Sequence, residues 1–515
     1  MTTTLRSPTV VPRDGRDAHR RVVVVSALAA AGSRLPFLSR PPGPDEGGFL
    51  LVGGQWHAGS GSLYGSYWVD RPPLLIAVYR WAAQTGGLVS LRLVGCLAVV
   101  LVVVLSAYLA RRIAGPRAGC WAAVAATAFL VSPLSGSREV NGELLAAPLV
   151  LVGMSAALTA LMAPNRTRVI LAAAGAGAAA VAALLVKQNF ADVAVFGVVL
   201  GATMLWRGEV DRSRLRHVVP AATAGGGLVA VVVGGWAVLH GTSLTGVVDA
   251  MYPFRVAASR TMAEHGGAHA VIRMHRLFAA WVFTGLGLVS ALAGWALVTR
   301  RVRDGVVWAL AATIAFEGVS IALGGNFWLH YLVQLVGPVS VVTGVLVARR
   351  VRGSREVVIA AGVLAVGLWS VSLSLDPAAN GATVGRTVAA SSRAGDTIVT
   401  AYGQPDVAET AGLSSPYPYL WSLPVKTLDP HLTRLDAVLR GPAAPTWLVV
   451  WKNIDSWGLD AAETRAILAA AYHPAGRVCG HEVYLRDGLD RPALADPICS
   501  KGASTIGGAL ERHLL

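Results

Sequence analysis

Two carboxylates stand side by side at Asp45 and Glu46, followed by Trp56, His57, Tyr64, Tyr67 and Trp68, and then by Asp70-Arg71-Pro72-Pro73. Carboxylates can take up or release protons, and aromatic faces can cover an apolar ring. A long loop this rich in acids and aromatics is a functional candidate, although Asp45 and Glu46 can equally cap a short surface helix. Further polar groups recur at breaks between apolar runs: Arg138, Glu139, Asn141 and Glu143; Lys187-Gln188-Asn189; and His330-Tyr331 with Gln334. The cations among them are of the types that hold anions by charge-assisted hydrogen bonds. Glu317 falls inside an apolar run, and an acid at membrane depth is a functional candidate by default. Plainer roles stay open: Lys187 can snorkel to the interface, His330-Tyr331 can anchor a span, and Glu139 can be a solvated cap.

The elements that must position these groups follow from composition. The chain has 515 residues, 54% hydrophobic and only 14% charged, and its mean hydropathy is +0.55. Soluble domains carry about 25% charged residues, so this is the composition of a polytopic membrane protein. The net charge of +15 sits in short clusters between apolar runs, where it sets topology, and a nucleic-acid partner is not expected. Eleven runs are long enough to be spans: 21–37, 89–110, 118–134, 144–162, 168–186, 190–206, 217–239, 277–298, 305–324, 329–348 and 356–374. A twelfth stretch, 72–87, is shorter and contains Arg80, Trp81 and Gln84. The arginine clusters decide how to treat it. They lie at Arg13/Arg16/Arg20/Arg21, Arg111/Arg112/Arg117, Arg166/Arg168, Arg207/Arg212/Arg214/Arg216, Arg300/Arg301/Arg303 and Arg349/Arg350/Arg352/Arg355. If 72–87 lies along the outer face without crossing, all six fall on the cytoplasmic side, as the positive-inside rule requires. The expected organisation is therefore a cytoplasmic tail (1–20), an eleven-span domain (21–374) with a long first outer loop (38–88), and an extracytoplasmic C-terminal segment (375–515).

That last segment is more polar and richer in Pro and Gly, with β-type runs at 397–402, 447–451 and 482–485 and an amphipathic helix over 461–472. It reads as a small α/β domain. Asp460 and Glu463 suggest a capping box for the helix. Cys479 and Cys499 are the only cysteines there, and both a disulfide and free thiols are open.

The run Asp45-Glu46-Gly47, with Asp70-Arg71-Pro72-Pro73-Leu74, Arg92-Leu93 and Tyr108-Leu109-Ala110-Arg111-Arg112, resembles the N-terminal half of a GT-C glycosyltransferase. The branch it is most similar to contains the protein mannosyltransferases and aminoarabinose transferases, which use polyprenyl-phosphate sugars. Leu184-Leu185-Val186-Lys187-Gln188 and His330-Tyr331-Leu332-Val333-Gln334-Leu335 resemble two further runs of that family, and the likeness covers about residues 20–375. It implies an inverting transfer at the outer membrane face, from a polyprenyl-phosphate sugar to a lipid, glycan or protein acceptor. In that scheme Asp45 is the base, with Glu46 and Glu143 beside it, while Glu139 remains an alternative second acid. Lys187, Arg138, His330 and Tyr331 hold the donor phosphate. Trp56, His57, Tyr64, Tyr67, Asp70 and Arg71 contact sugar or acceptor. No cofactor is expected, and a divalent ion near His57 is not part of the scheme. The rival readings are a transporter or flippase for a lipid-linked sugar and a non-catalytic protein of the same fold.

Overall fold

A computed structural model describes residues 13–58, 61–302, 304–374 and 380–499. Arg303, most of the expected tail, and residues 375–379 and 500–515 of the C-terminal segment lie outside the described residues. Apolar runs of this length can satisfy their backbone groups in lipid only as helices, and all eleven are helical. Seven are long and apolar enough to cross a membrane, namely Gly87–Ala114, Gly142–Met162, Arg166–Val186, Arg212–Leu239, Gly305–Gly324, Leu329–Ala348 and Ser354–Ser374. Pro116–Val131 and Asp192–Trp206 are shorter apolar helices, and Arg13–Gly32 packs beside Pro116–Val131. The chain is a multi-pass membrane protein. One expected span is corrected: 277–298 is not a single helix but breaks ahead of Leu286–Val298 with a bend of 68°. Gly285, at φ +83, makes that break, in a conformation that costs other residues energy. Leu329–Ala348 is the most enclosed of the seven, with 89% of its apolar window buried, and forms the centre of the bundle.

The 72–87 stretch forms the helix Pro73–Thr85. Its 13 residues span about 20 Å at 1.5 Å per residue, short of the ~30 Å hydrocarbon core. It packs on the helix Pro44–Gly54. The 240–276 stretch is largely helical, with Leu244–Met251, Pro253–His265 and the start of Gly267–Phe283.

The C-terminal segment contains a four-stranded sheet of β1 (Ile398–Ala401), β2 (Trp447–Val450), β3 (Tyr472–Val478) and β4 (His481–Arg486), in the order β1-β2-β4-β3. β1 and β2 are parallel, and β4 is antiparallel to both its neighbours. Alternate residues serve opposite faces: Ile398, Trp447 and Val449 pack into one cluster, and Val399, Ala401 and Leu448 into the other. β3 was not expected from sequence, because its middle residues, His473 to Arg477, are largely exposed and interrupted by Pro474 and Gly476. The helix is Ala462–Ala471, but no capping box forms. Asp460 makes only a long contact to the Ala462 amide, and Glu463 turns to Arg440. Cys479 and Cys499 form a disulfide.

Candidate active site

The helix Pro44–Gly54 starts with proline at a position where its missing N–H costs nothing, and its first turn carries both acids. Successive helical residues point about 100° apart, so the two carboxylates separate. Glu46 turns inward and is 0% exposed. Its Oε2 accepts from Arg92 Nη2 at 2.7 Å, and its Oε1 accepts from the Val140 amide at 2.9 Å. Arg92 also donates to the carbonyls of Phe37, Leu38 and Pro41. Glu46, grouped on sequence with the catalytic acids, thus ties the first loop to Gly87–Ala114 and does not line the cavity that Asp45 enters. Asp45 turns the other way, into a cavity of about 380 Å³. There its Oδ1 accepts from Trp421 Nε1 at 2.9 Å.

Trp421 belongs to the C-terminal segment, which seats directly on this helix. Gly47 and Gly48 allow the approach: a methyl group on Gly47 would lie 2.8 Å from the Asp406 Cα, and one on Gly48 2.5 Å from Pro405. Burial in this contact pushes the Asp406 carboxyl up to about 7. Tyr67 makes a second tie, its hydroxyl accepting from the Ser415 amide at 2.8 Å. A third runs from the Trp68 amide to the Pro418 carbonyl at 3.1 Å.

The cavity therefore has two walls. On the bundle side stand Asp70, Arg71, Arg255, Arg273, His330 and Tyr331. Asp70 orders two of the cations, with Arg71 at 2.8 Å on one oxygen and Arg255 at 2.7 Å on the other. Arg273 donates to the Asn326 carbonyl at 2.7 Å and lies 5.0 Å from the Trp328 ring centroid. On the other side stand Tyr402, Trp421, Lys426, Trp451, Lys452 and Trp457. Burial, with Lys452 nearby, lowers the Lys426 ammonium to about 8. An adjoining cavity of about 550 Å³ shares Glu139, Arg273, Trp328 and His330 with the first. Although Glu139 touches cavity space, the surrounding protein and the neighbouring Glu46 and Asp45 carboxylates push it up to about 8.

Several expected site residues lie elsewhere. Arg138 lines the second cavity and not the first, its guanidinium 4.6 Å from the Phe37 ring centroid. Glu143 and Lys187 form a buried ion pair, with His330 Nε2 3.6 Å from the same Glu143 oxygen. Lys187 stands behind Tyr331, its ammonium 4.6 Å from that ring centroid, and does not line the first cavity. Trp56 and Tyr64 are fully buried and packed edge to face at 4.9 Å. The Trp56 indole donates to Thr242, and the Tyr64 hydroxyl to the Arg71 carbonyl. With Tyr67 they brace the loop, and all three were expected to touch sugar. His57 is exposed, its ring against the Gln55 carbonyl. Among the described residues no group of three or more His, Cys, Asp or Glu could hold a metal ion. Within the bundle Glu317 meets Asp192, and both are fully buried.

Arg255 and Arg273 were missed, yet the sequence carried a signal. They fall in 240–276, which the topology expected from the arginine clusters puts outside, where further arginines run against the positive-inside rule.

No family model and no curated protein sequence matches the chain. Among solved structures, ArnT from Cupriavidus metallidurans bound to undecaprenyl phosphate is similar, with a TM-score of 0.61 at 15% identity, covering 92% of this chain and 98% of that one. The chain has the GT-C fold. The apo state of ArnT gives a TM-score of 0.59 over the same shares. The Archaeoglobus fulgidus oligosaccharyltransferase, complexed with Zn and sulfate, gives 0.53 at 14% identity, over 83% of this chain and 67% of that one. On this GT-C frame the acidic first loop and the C-terminal segment together enclose the cavity.

Proposed function

We propose that the protein is a membrane glycosyltransferase that moves a sugar from a polyprenyl-phosphate donor to an acceptor hydroxyl at the outer face of the membrane. The observation that carries this is the cavity between bundle and C-terminal segment, where the Asp45 carboxylate faces Arg71, Arg255 and Arg273. Asp45 takes the acceptor proton as the oxygen attacks the anomeric carbon. The bond from that carbon to the phosphate oxygen breaks, and its electron pair leaves with the polyprenyl phosphate. Attack opposite the leaving group inverts the carbon. Arg71, Arg255, Arg273 and His330 stabilise the departing phosphate by charge-assisted hydrogen bonds. A transporter would need a polar path through the bundle. The fully buried Asp192 and Glu317 sit among packed helices, outside both cavities.

Two experiments bear on this reading. Arg255→Ala is expected to weaken polyprenyl-phosphate binding about tenfold or more, the effect of a hydrogen bond to a charged group, without lowering the thermal midpoint. Lys187→Ala should lower that midpoint, because Glu143 is left buried without its cation. Unchanged affinity in Arg255→Ala, measured with purified protein and undecaprenyl phosphate, would move the phosphate elsewhere. For the topology, cysteines engineered at 62 and 270 should label from outside, and those at 114 and 210 only from inside. External labelling at 114 would overturn the orientation and the outer placement of the site.

A further inference from the structure

We infer that the wall formed by the C-terminal segment is the acceptor subsite, and that it takes a carbohydrate bearing an anionic group, a phosphate or a carboxylate. This rests on the transferase reading and adds the chemical class of the acceptor. Three observations point the same way.

First, the wall carries two lysines that no carboxylate pairs among the described residues. Lys426 is only 6% exposed, yet it lines the cavity. Among the described residues neither Lys426 nor Lys452 forms an ion pair with a carboxylate. The Lys426 ammonium instead lies 3.9 Å from the Trp457 ring centroid. Burying an unpaired ammonium is costly, and a bound anion would offset that cost. The bundle-side cations differ, since Asp70 already holds Arg71 and Arg255.

Second, the same wall presents Trp421, Trp451 and Trp457 to the cavity. None of these indoles is fully buried. Each ring also has a protein partner, with Lys426 over Trp457, His481 stacked on Trp451 and Phe49 against Trp421, and the indole surface left toward the cavity suits the apolar side of a sugar ring.

Third, the wall starts at the proposed base. Trp421 donates to Asp45 and immediately precedes the helix Ser422–Leu428, which carries Lys426. An acceptor lying along this wall places its hydroxyl at Asp45 and its anionic group at the lysines, leaving the arginine wall to the donor phosphate.

The test uses the full chain in nanodiscs, with glucose, glucose 6-phosphate and glucuronate as probes in saturation-transfer NMR and inorganic phosphate as a competitor of their signals. The charged sugars should bind roughly tenfold more tightly than glucose, the size of one charge-assisted contact. Lys426→Met and the exposed Lys452→Met should each reduce that preference, while Lys426→Arg keeps it and Arg255→Ala leaves it intact. Equal binding of glucose and the charged sugars would overturn the proposal. So would binding of inorganic phosphate as tight as that of glucose 6-phosphate, or loss of the preference in Arg255→Ala but not in the lysine variants. The two readings fail separately. Lysine-dependent sugar binding without donor-dependent transfer overturns the enzyme, whereas transfer that needs Asp45 but ignores both lysines overturns the subsite.

Discussion

Asp45→Asn is expected to lower turnover by about two orders of magnitude or more, the range for removing a positioned general base, while folding and donor binding stay near wild type. The asparagine keeps the shape of the side chain and still offers a carbonyl oxygen to Trp421 Nε1, but it cannot accept the acceptor proton. Of the acids considered for the site, Asp45 is the one placed for this role. Glu46 and Glu143 are each committed to a buried cation, and the neighbouring Glu46 and Asp45 carboxylates raise the pKa of Glu139. The measurement is donor-dependent transfer or donor hydrolysis by detergent-purified variants at matched folding. Near-normal turnover would remove Asp45 as the base and leave the proposed chemistry without a proton acceptor.

Glu46→Gln should behave in the opposite way, although it lies one residue along. Its carboxylate is fully buried against Arg92, and removing one partner of such a pair costs about 3–5 kcal/mol. The yield of folded protein and its thermal midpoint should fall sharply, while the molecules that do fold retain turnover per site. Arg92→Met should cost at least as much, because Arg92 also satisfies the carbonyls of Phe37, Leu38 and Pro41. The double variant should lose less than the sum of the two, since no unpaired charge then stays buried. A Glu46→Gln protein with an unchanged midpoint and lost turnover would return Glu46 to the chemistry.

Much of this was legible before any coordinates. Apolar runs set the helices because lipid leaves the backbone no other partner, and the short 72–87 stretch became a helix too short to span. The Pro-Asp-Glu-Gly-Gly sequence marked a loop that lines the cavity, and Lys187, Glu143 and His330 do come together. The aromatics of that loop were misjudged for a physical reason. Composition shows that Trp56, Tyr64 and Tyr67 are present, but only packing decides whether a ring faces a ligand or its neighbours.

The sequence by itself determined where the apolar helices run, because periodicity and apolar length are local properties. What only the tertiary structure decided is which of two adjacent carboxylates meets the cavity and what stands opposite it. Neighbours on a helix diverge by about 100°, so Asp45 and Glu46 acquire different roles from the surfaces that happen to face them. The facing groups arrive from far along the chain, Arg92 on the next long helix and Trp421 376 residues away. No local pattern encodes that meeting, which arises when Gly47 and Gly48 let the C-terminal segment settle on the first loop and close the cavity between them.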